Sequence, residues 1–241
     1  MIASIIPIIN FLLVFFYLPE TKPNSDSSKS KTILKNPLKA LFTVFKEEKI
    51  KKLSLAFFIY FIAFTGLTNI LIFFLQESLN WTTKASSGTL VVVGIIAIIV
   101  QGGLIGPLVK QFGEMKLTLI GSGFILVACA LLITAPKENA TINIYSAVSF
   151  LAVGAGLITP TLRALISKKL DVDKQGSILS NLQGLQSLGG VLGIAMAGRV
   201  YDSLGPKSPF IAGSIILIFM IYLIAEGKNN NSFNNQNSNE S

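Results

Sequence analysis

The residues with chemistry to offer are polar side chains set inside long apolar stretches. Asn69 and Gln76 lie seven apart, with Thr65 one turn before Asn69, so helical geometry puts all three on similar faces. Gln101 falls in a second stretch, and Asn181, Gln183 and Gln186 in a third. In such surroundings an amide or hydroxyl needs a partner, so these groups either join helices or orient a polar ligand, and both roles stay open. Arg163 is one of only two arginines in a chain that writes nearly all its positive charge as lysine. It precedes Lys168 by five residues, about 7.5 Å along a helix, which favours a side chain that snorkels to the interface. The other reading is a charge facing the bundle interior, against an anionic or polar substrate or a carboxylate. Glu77, near the end of its stretch, reads as interfacial.

Much other chemistry is excluded by composition. The chain has no histidine, and Cys129, its single cysteine, sits within an apolar run. No internal disulfide, no Ser/His/Asp or Cys/His pair and no histidine-based metal set can form, so we expect no enzyme, no cofactor and no metal. Cys129 reads as small apolar packing. Gly154-Ala155-Gly156 lies inside an apolar run with no soluble strand before it, which argues against a nucleotide loop.

The elements that must position these residues are membrane helices. Mean hydropathy is +0.64, and 13% of residues are charged where a soluble domain carries about 25%. A bilayer core about 30 Å thick needs about 20 apolar residues per helix. Apolar spans are predicted at 2–18, 53–76, 86–108, 116–135, 141–166, 176–200 and 208–226. Nine lysines from Lys22 to Lys52 fill the first connection, and Lys110, Lys116, Lys168, Lys169, Lys174 and Lys228 fall in alternate later ones. The other connections hold Lys84, Lys137, Lys207 and Arg199, so lysine asymmetry predicts an outside N-terminus and a cytoplasmic C-terminus, and with no organelle signal readable the expected location is a plasma or inner membrane. The net charge of +8 is then an orientation signal, and without interleaved aromatics it does not suggest nucleic acid.

Finer features follow. The first span lacks the basic start and cleavage site of a signal peptide, begins abruptly after Met1, and carries Pro7 and Asn10 as a packed helix would. Residues 19–52 read as a basic loop in which Leu38, Leu41, Phe42 and Phe45 mark one face of a short helix on the inner leaflet. The Asn/Ser-rich stretch 229–241 reads as a disordered tail. Gly102/Gly106, Gly154/Gly156, Gly189/Gly193 and Gly193/Ala197/Gly198 are expected helix seams. Asn80-Trp81-Thr82 and Asn139-Ala140-Thr141 match the glycosylation acceptor pattern.

Three segments resemble the major facilitator superfamily, in particular the C-terminal half of a twelve-helix transporter. Tyr17-Leu18-Pro19-Glu20-Thr21-Lys22 is similar to the end of that family's sixth helix entering its central loop. Gly106 through Lys116 resembles the family's Gly-x-Leu-x-Asp-Arg-x-Gly loop, carried here by Gly106, Pro107, Lys110 and Gly113, although Lys110 and Gln111 replace the Asp and Arg. Pro160 through Lys169, with Gln175-Gly176 and Ser187 through Gly193, resembles helices 10 and 11 of the tetracycline/proton antiporters, with Ile194 where many exporters have proline.

The resemblance implies an all-α integral membrane fold, a six-helix C-terminal transporter half over 53–226 preceded by one helix over 1–18, the loop 19–52, and a tail over 227–241. It implies proton-coupled efflux of small amphipathic molecules or drugs by alternating access, with an N-terminal half as partner and Gly106 and Gly113 as turns. Thr65, Asn69, Gln101, Asn181 and Gln186 would contact substrate, with Phe64 and Phe73 as apolar walls. No span holds an acid away from its ends, so these residues do not locate proton coupling. The alternative is a truncated or non-transporting half acting only with an N-terminal-half partner. A seven-helix receptor or retinal protein matches the span count, but not the loop, and the last span has no lysine for a Schiff base.

Overall fold

Six helical passes, each reversing the direction of the last, build the described part of the chain. The structure is a computed structural model that describes residues 41–136 and 140–237, with side chains as far as Glu226. The expected span at 2–18 and the first part of the basic loop lie outside the described residues. A short 3-10 helix, Phe42–Lys46, leads into α1 (Lys51–Ser78). Next come α2 (Thr83–Ile99), a π-helical turn over Val100–Leu104, and α3 (Ile105–Phe112), which together make one interrupted pass. Then follow α4 (Glu114–Ile133), α5 (Thr141–Ser167), α6 (Val172–Leu204) and α7 (Ser208–Asn237). No strand occurs among the described residues.

Five of the six passes are long and apolar enough to cross a membrane: Lys51–Ser78, Thr83–Phe112, Glu114–Ile133, Thr141–Ser167 and Ser208–Glu226. The exception among the predicted spans is α6, the longest at 33 residues. Its length, about 50 Å at 1.5 Å per residue, is ample. Its apolarity falls short because Gln175, Asn181, Gln183, Gln186 and several serines interrupt it, so one face is polar.

Small residues set how closely the helices meet. A Cβ at Gly66 would lie 2.8 Å from the Gly193 carbonyl oxygen, and one at Gly193 would collide with the Ile62 carbonyl, so α1 and α6 touch backbone to backbone. The α4–α5 crossing is alike: Cβ atoms at Gly121 and Gly154 would stand 2.9 and 2.6 Å from each other's carbonyl oxygens. Such approach lets dispersion and weak C–H contacts replace the hydrophobic drive that lipid cannot supply. The expected seams at Gly154, Gly156, Gly189 and Gly193 thus exist, but those at Gly102/Gly106 and Gly198 do not, since nothing described lies within 4 Å of their would-be Cβ atoms. Spacing along one helix cannot say which face receives a neighbour.

Side chains finish the core. Phe57, Tyr60, Phe74 and Phe210 are fully enclosed, Phe74 meeting Phe210 edge-on at 5.1 Å, and Cys129 is buried with them as expected. Between α4 and α5, the buried hydroxyls of Thr118 and Thr161 share a 2.8 Å hydrogen bond, and each also reaches a carbonyl one turn back in its own helix. Because those local acceptors remain after one partner is lost, Thr118→Val and Thr161→Val are each expected to cost only about 0.6 kcal/mol. A double-mutant cycle on detergent melting curves checks this, and a coupling above about 2 kcal/mol would contradict it.

The two ends of the bundle differ. At one, Lys52 of α1 pairs with Glu226 of α7 at 2.7 Å, Lys168 after α5 pairs with Glu114 of α4, and Lys174 of α6 reaches Glu47 at 3.4 Å. The lysine-rich connections therefore gather at one end, as their alternation predicted. The 3-10 helix docks there through Val44, which is fully buried, with Leu41 and Phe45 beside it, while Phe42 is 48% exposed. Of the expected leaflet-facing set Leu38, Leu41, Phe42 and Phe45, Leu38 lies outside the described residues and the rest is corrected: tighter 3-10 winding turns Val44 inward onto α1 and α6. At the other end Trp81 packs on Tyr145, and Asn80 (φ 53) makes the left-handed residue of the α1–α2 turn, a conformation asparagine tolerates. Helix α7 runs on to Asn237 where a disordered tail was expected, because extending a formed helix costs little even for a sequence without apolar periodicity.

Candidate functional site

Two polar residues of α6 and an aromatic ring of α1 converge on Arg163 of α5. This arginine lies near the end of α5, three residues after Pro160, which removes one rung of the helical ladder. Gln183 and Gln186, three apart on α6, share a face. Arg163 Nη2 donates to Gln183 Oε1 at 2.7 Å and to Gln186 Oε1 at 2.5 Å. The guanidinium carbon stands 5.9 Å from the Phe57 ring centroid on α1.

The arginine's direction corrects the snorkelling expectation. Its backbone is about 6 Å from the last residue of α5, whereas its two acceptors lie about 17 and 21 Å into α6 from the shared connection. The side chain therefore runs inward, away from the nearby loop. The acceptors decide this: Glu114, near the α5 end, is already held by Lys168, and two amide oxygens on α6 take the guanidinium. Among the described residues no carboxylate neutralises Arg163.

Around this charge the wall is mostly aromatic. Tyr60 hydroxyl shares a 3.3 Å hydrogen bond with Thr159, and Phe64 stacks on Tyr60 at 5.5 Å. Thr65 is half-buried, its methyl 3.6 Å from where a Cβ on Gly190 would sit, so α6 presents bare backbone opposite it. Asn69 is exposed and gives one of its two amide protons to the Thr65 carbonyl at 2.9 Å, which leaves the second proton and the oxygen for other partners. Phe73, one turn further, is 62% exposed on that same face, whereas Phe64, nine residues back, points half a turn away. Gln186 and Thr65 thus border one site with Arg163, Asn69 and Phe73 extend its α1 side, and Phe64 serves as backing.

Two expected contacts sit elsewhere. Gln101 lies exposed in the π turn, its Cγ 3.9 Å from a would-be Cβ on Gly156. Asn181 donates to Thr43 Oγ1 at 3.2 Å and clips the 3-10 helix to α6. Of the loop signature, Gly113 is a turn at φ 76, with its N–H on the Val109 carbonyl. Gly106 is not a turn as expected but lies inside α3 with open space around it, and Pro107 follows. Proline's missing N–H and bulk are absorbed upstream, where Gly102-Gly103 let the helix widen into the π turn. Lys110 is exposed in the last turn of α3. Glu77 accepts a 2.6 Å hydrogen bond from Tyr201 at the opposite end.

Sequence reasoning missed several participants. Gln183 was recognised as polar, but its pairing with Gln186 needed the i, i+3 face and an arginine across from it. The Glu114 carboxylate, beside Gly113, joins the loop to Lys168, although attention went to the substituted positions Lys110 and Gln111. Phe57 and Tyr60 carried no signal beyond apolarity. No group of three or more His, Cys, Asp or Glu able to hold a metal occurs among the described residues.

Long apolar helices around a partly polar interior define a multi-pass helical membrane protein. A match to the Major Facilitator Superfamily covers residues 1–194, and the chain belongs to that family. Its fold is accordingly the family's all-α membrane fold, and the members of this family are transporters, not enzymes. Among curated proteins the chain is 26% identical to the tetracycline resistance protein, class C, of Escherichia coli over 54% of this chain and 32% of that one. It is 21% identical to hippocampus abundant transcript-like protein 1 of Rattus norvegicus over 93% of this chain and 49% of that protein. Major facilitator superfamily domain-containing protein 10 of Mus musculus is 23% identical over 92% of this chain and 52% of its own length. The chain spans about a third to a half of the length of these relatives.

Proposed function

We propose that this chain is the C-terminal part of a proton-coupled exporter of small amphipathic molecules, working by alternating access against a second six-helix unit. The observation that carries the proposal is the partly exposed polar face of α5 and α6, where Arg163 is held by Gln183 and Gln186 beside otherwise apolar helices. A mostly apolar site with a few orienting polar groups suits an amphipathic ligand. The likeness to tetracycline resistance proteins supports efflux, and drugs as its cargo. In this reading residues 1–18 form the preceding helix, 19–52 the central loop, 53–226 the transporter half and 227–241 a tail. The lysine-rich end faces the cytoplasm of a plasma or inner membrane. Thr65, Asn69 and Gln186 line the cavity, with Gln101, Asn181, Phe64 and Phe73 at its margins.

The alternative is a half that transports nothing alone and acts with a separately encoded N-terminal-half partner. Native size separates the two. An antibody to the Asn-rich end is expected to detect a membrane protein of about twice the 25.9 kDa chain mass. In cells carrying that protein, Asn69→Leu and Gln186→Leu are expected to change efflux selectivity at unchanged expression. A native band at the chain mass refutes the single-chain exporter reading, and unaltered efflux of every compound tested refutes the assignment of Asn69 and Gln186 to the cavity.

A further inference from the structure

We infer that Arg163 makes this site a receptor for an acidic group, so that the molecules handled are amphipathic carboxylates or comparable organic anions; this rests on the exporter reading above. The charge is half-buried between α5 and α6, its partners are two neutral amide oxygens, and no carboxylate reaches it among the described residues. Amide oxygens hold a guanidinium in place without cancelling its charge. Both Nη2 protons are committed to them, and of the five guanidinium donors the two on Nη1 and the one on Nε remain. A carboxylate can accept from Nη1 with the glutamines undisturbed, or take a two-pronged contact by displacing one of them.

The surroundings add the second half of the specificity. Phe57 lies under the guanidinium, and one turn along each helix are the Tyr60–Phe64 stack and the bare backbone at Gly190, so the acid's neighbours are apolar or aromatic. In a low-dielectric wall an uncancelled cation attracts an anion strongly, because little water competes. The other cations are lysines at the bundle ends, three of them already paired across elements, and Arg199, exposed near the far end of α6 in a pocket it shares with Asp202. Arg163 is therefore the group able to discriminate an acid from its neutral isostere within the helices.

The test compares 1-naphthoate with the nearly isosteric neutral 1-naphthamide, in cells and on the purified full-length protein in detergent. Arg163→Gln is expected to lower the acid-to-amide efflux ratio about tenfold to a hundredfold, with Arg163→Lys between the two. Naphthoate is expected to raise the melting temperature of the wild type and not that of Arg163→Gln. An unchanged ratio, or equal stabilisation by acid and amide, overturns the inference. If neither compound is exported yet naphthoate still stabilises the wild type through Arg163, the acid site stands and the exporter reading falls. If Arg163→Gln melts far lower without ligand and naphthoate affects neither protein, the arginine's partner is a carboxylate of the protein itself, and the inference is wrong. Should Arg163→Gln fail to fold, Gln183→Leu with Arg163→Lys gives the same ratio test.

Discussion

Gly193→Ala and Gly154→Ala are each expected to cost about 3 kcal/mol or more of stability, the largest loss obtainable here from adding a single methyl group. A helical glycine normally gains up to about 1 kcal/mol when replaced by alanine, so the sign itself is diagnostic. At Gly193 the added methyl meets the Ile62 carbonyl, and at Gly154 it meets the Gly121 carbonyl oxygen at 2.6 Å. Both obstacles are helical backbone, which cannot swing aside as a side chain would. Relief requires α1 and α6, or α4 and α5, to separate along their length and lose the close contact that substitutes for hydrophobic drive in lipid. Gly94→Ala and Gly123→Ala are the controls, since nothing stands within 4 Å of a Cβ at either. Melting curves in detergent should show a large fall for the first pair and none for the second. Equal behaviour of all four would mean the crossings are not as close as described.

Deleting Gly103 is expected to have the second largest effect. The π turn Val100–Leu104 carries one residue more than an α-helix needs, so removing it restores α geometry and rotates everything downstream by about 100°. Ile105, Leu108 and Val109 now pack against Val100, Leu117 and Leu157. Rotation carries them off that cluster and disturbs the approach to the Gly113 turn and Glu114. Loss of three partly buried aliphatic contacts, each worth about 1 kcal/mol, predicts destabilisation of roughly 3 kcal/mol. Gly103→Ala, which keeps the register, should change stability by less than about 1 kcal/mol. Restoring the count with an alanine inserted after Leu104 should recover most of the loss. If the deletion melts like the wild type, the π turn has no role in positioning the loop.

Periodicity and charge made much of the fold legible. The helices α1, α2 with α3, α4 and α5 fall within a few residues of the spans predicted from apolar length, because in a bilayer nothing but a helix satisfies so many backbone groups. The lysine alternation correctly foretold one charge-rich end. The glycine seams show the limit. Gly189 and Gly193 looked like Gly102 and Gly106 in spacing, yet among the described residues only the first pair meets another backbone, and the solitary Gly66 and Gly121 complete two close crossings. Val44 was invisible for a similar reason, as a five-residue 3-10 helix does not follow the α period used to choose its face.

The candidate site divides the same way. Polar side chains in apolar runs announced themselves one by one, since their desolvation cost is a property of residue and segment alone. Which of them act together was not contained in any segment. Arg163 snorkels or turns inward according to where an acceptor stands, and its acceptors lie on a different helix, twenty and twenty-three residues later in the chain. The sequence by itself determined that this is a helical membrane protein, how long its helices are and which ends carry charge, because those depend on local hydrophobicity and backbone hydrogen bonding. Only the tertiary structure decided which glycines touch, where the chain departs from α geometry and what Arg163 holds, because those depend on distances between segments that local physics leaves free.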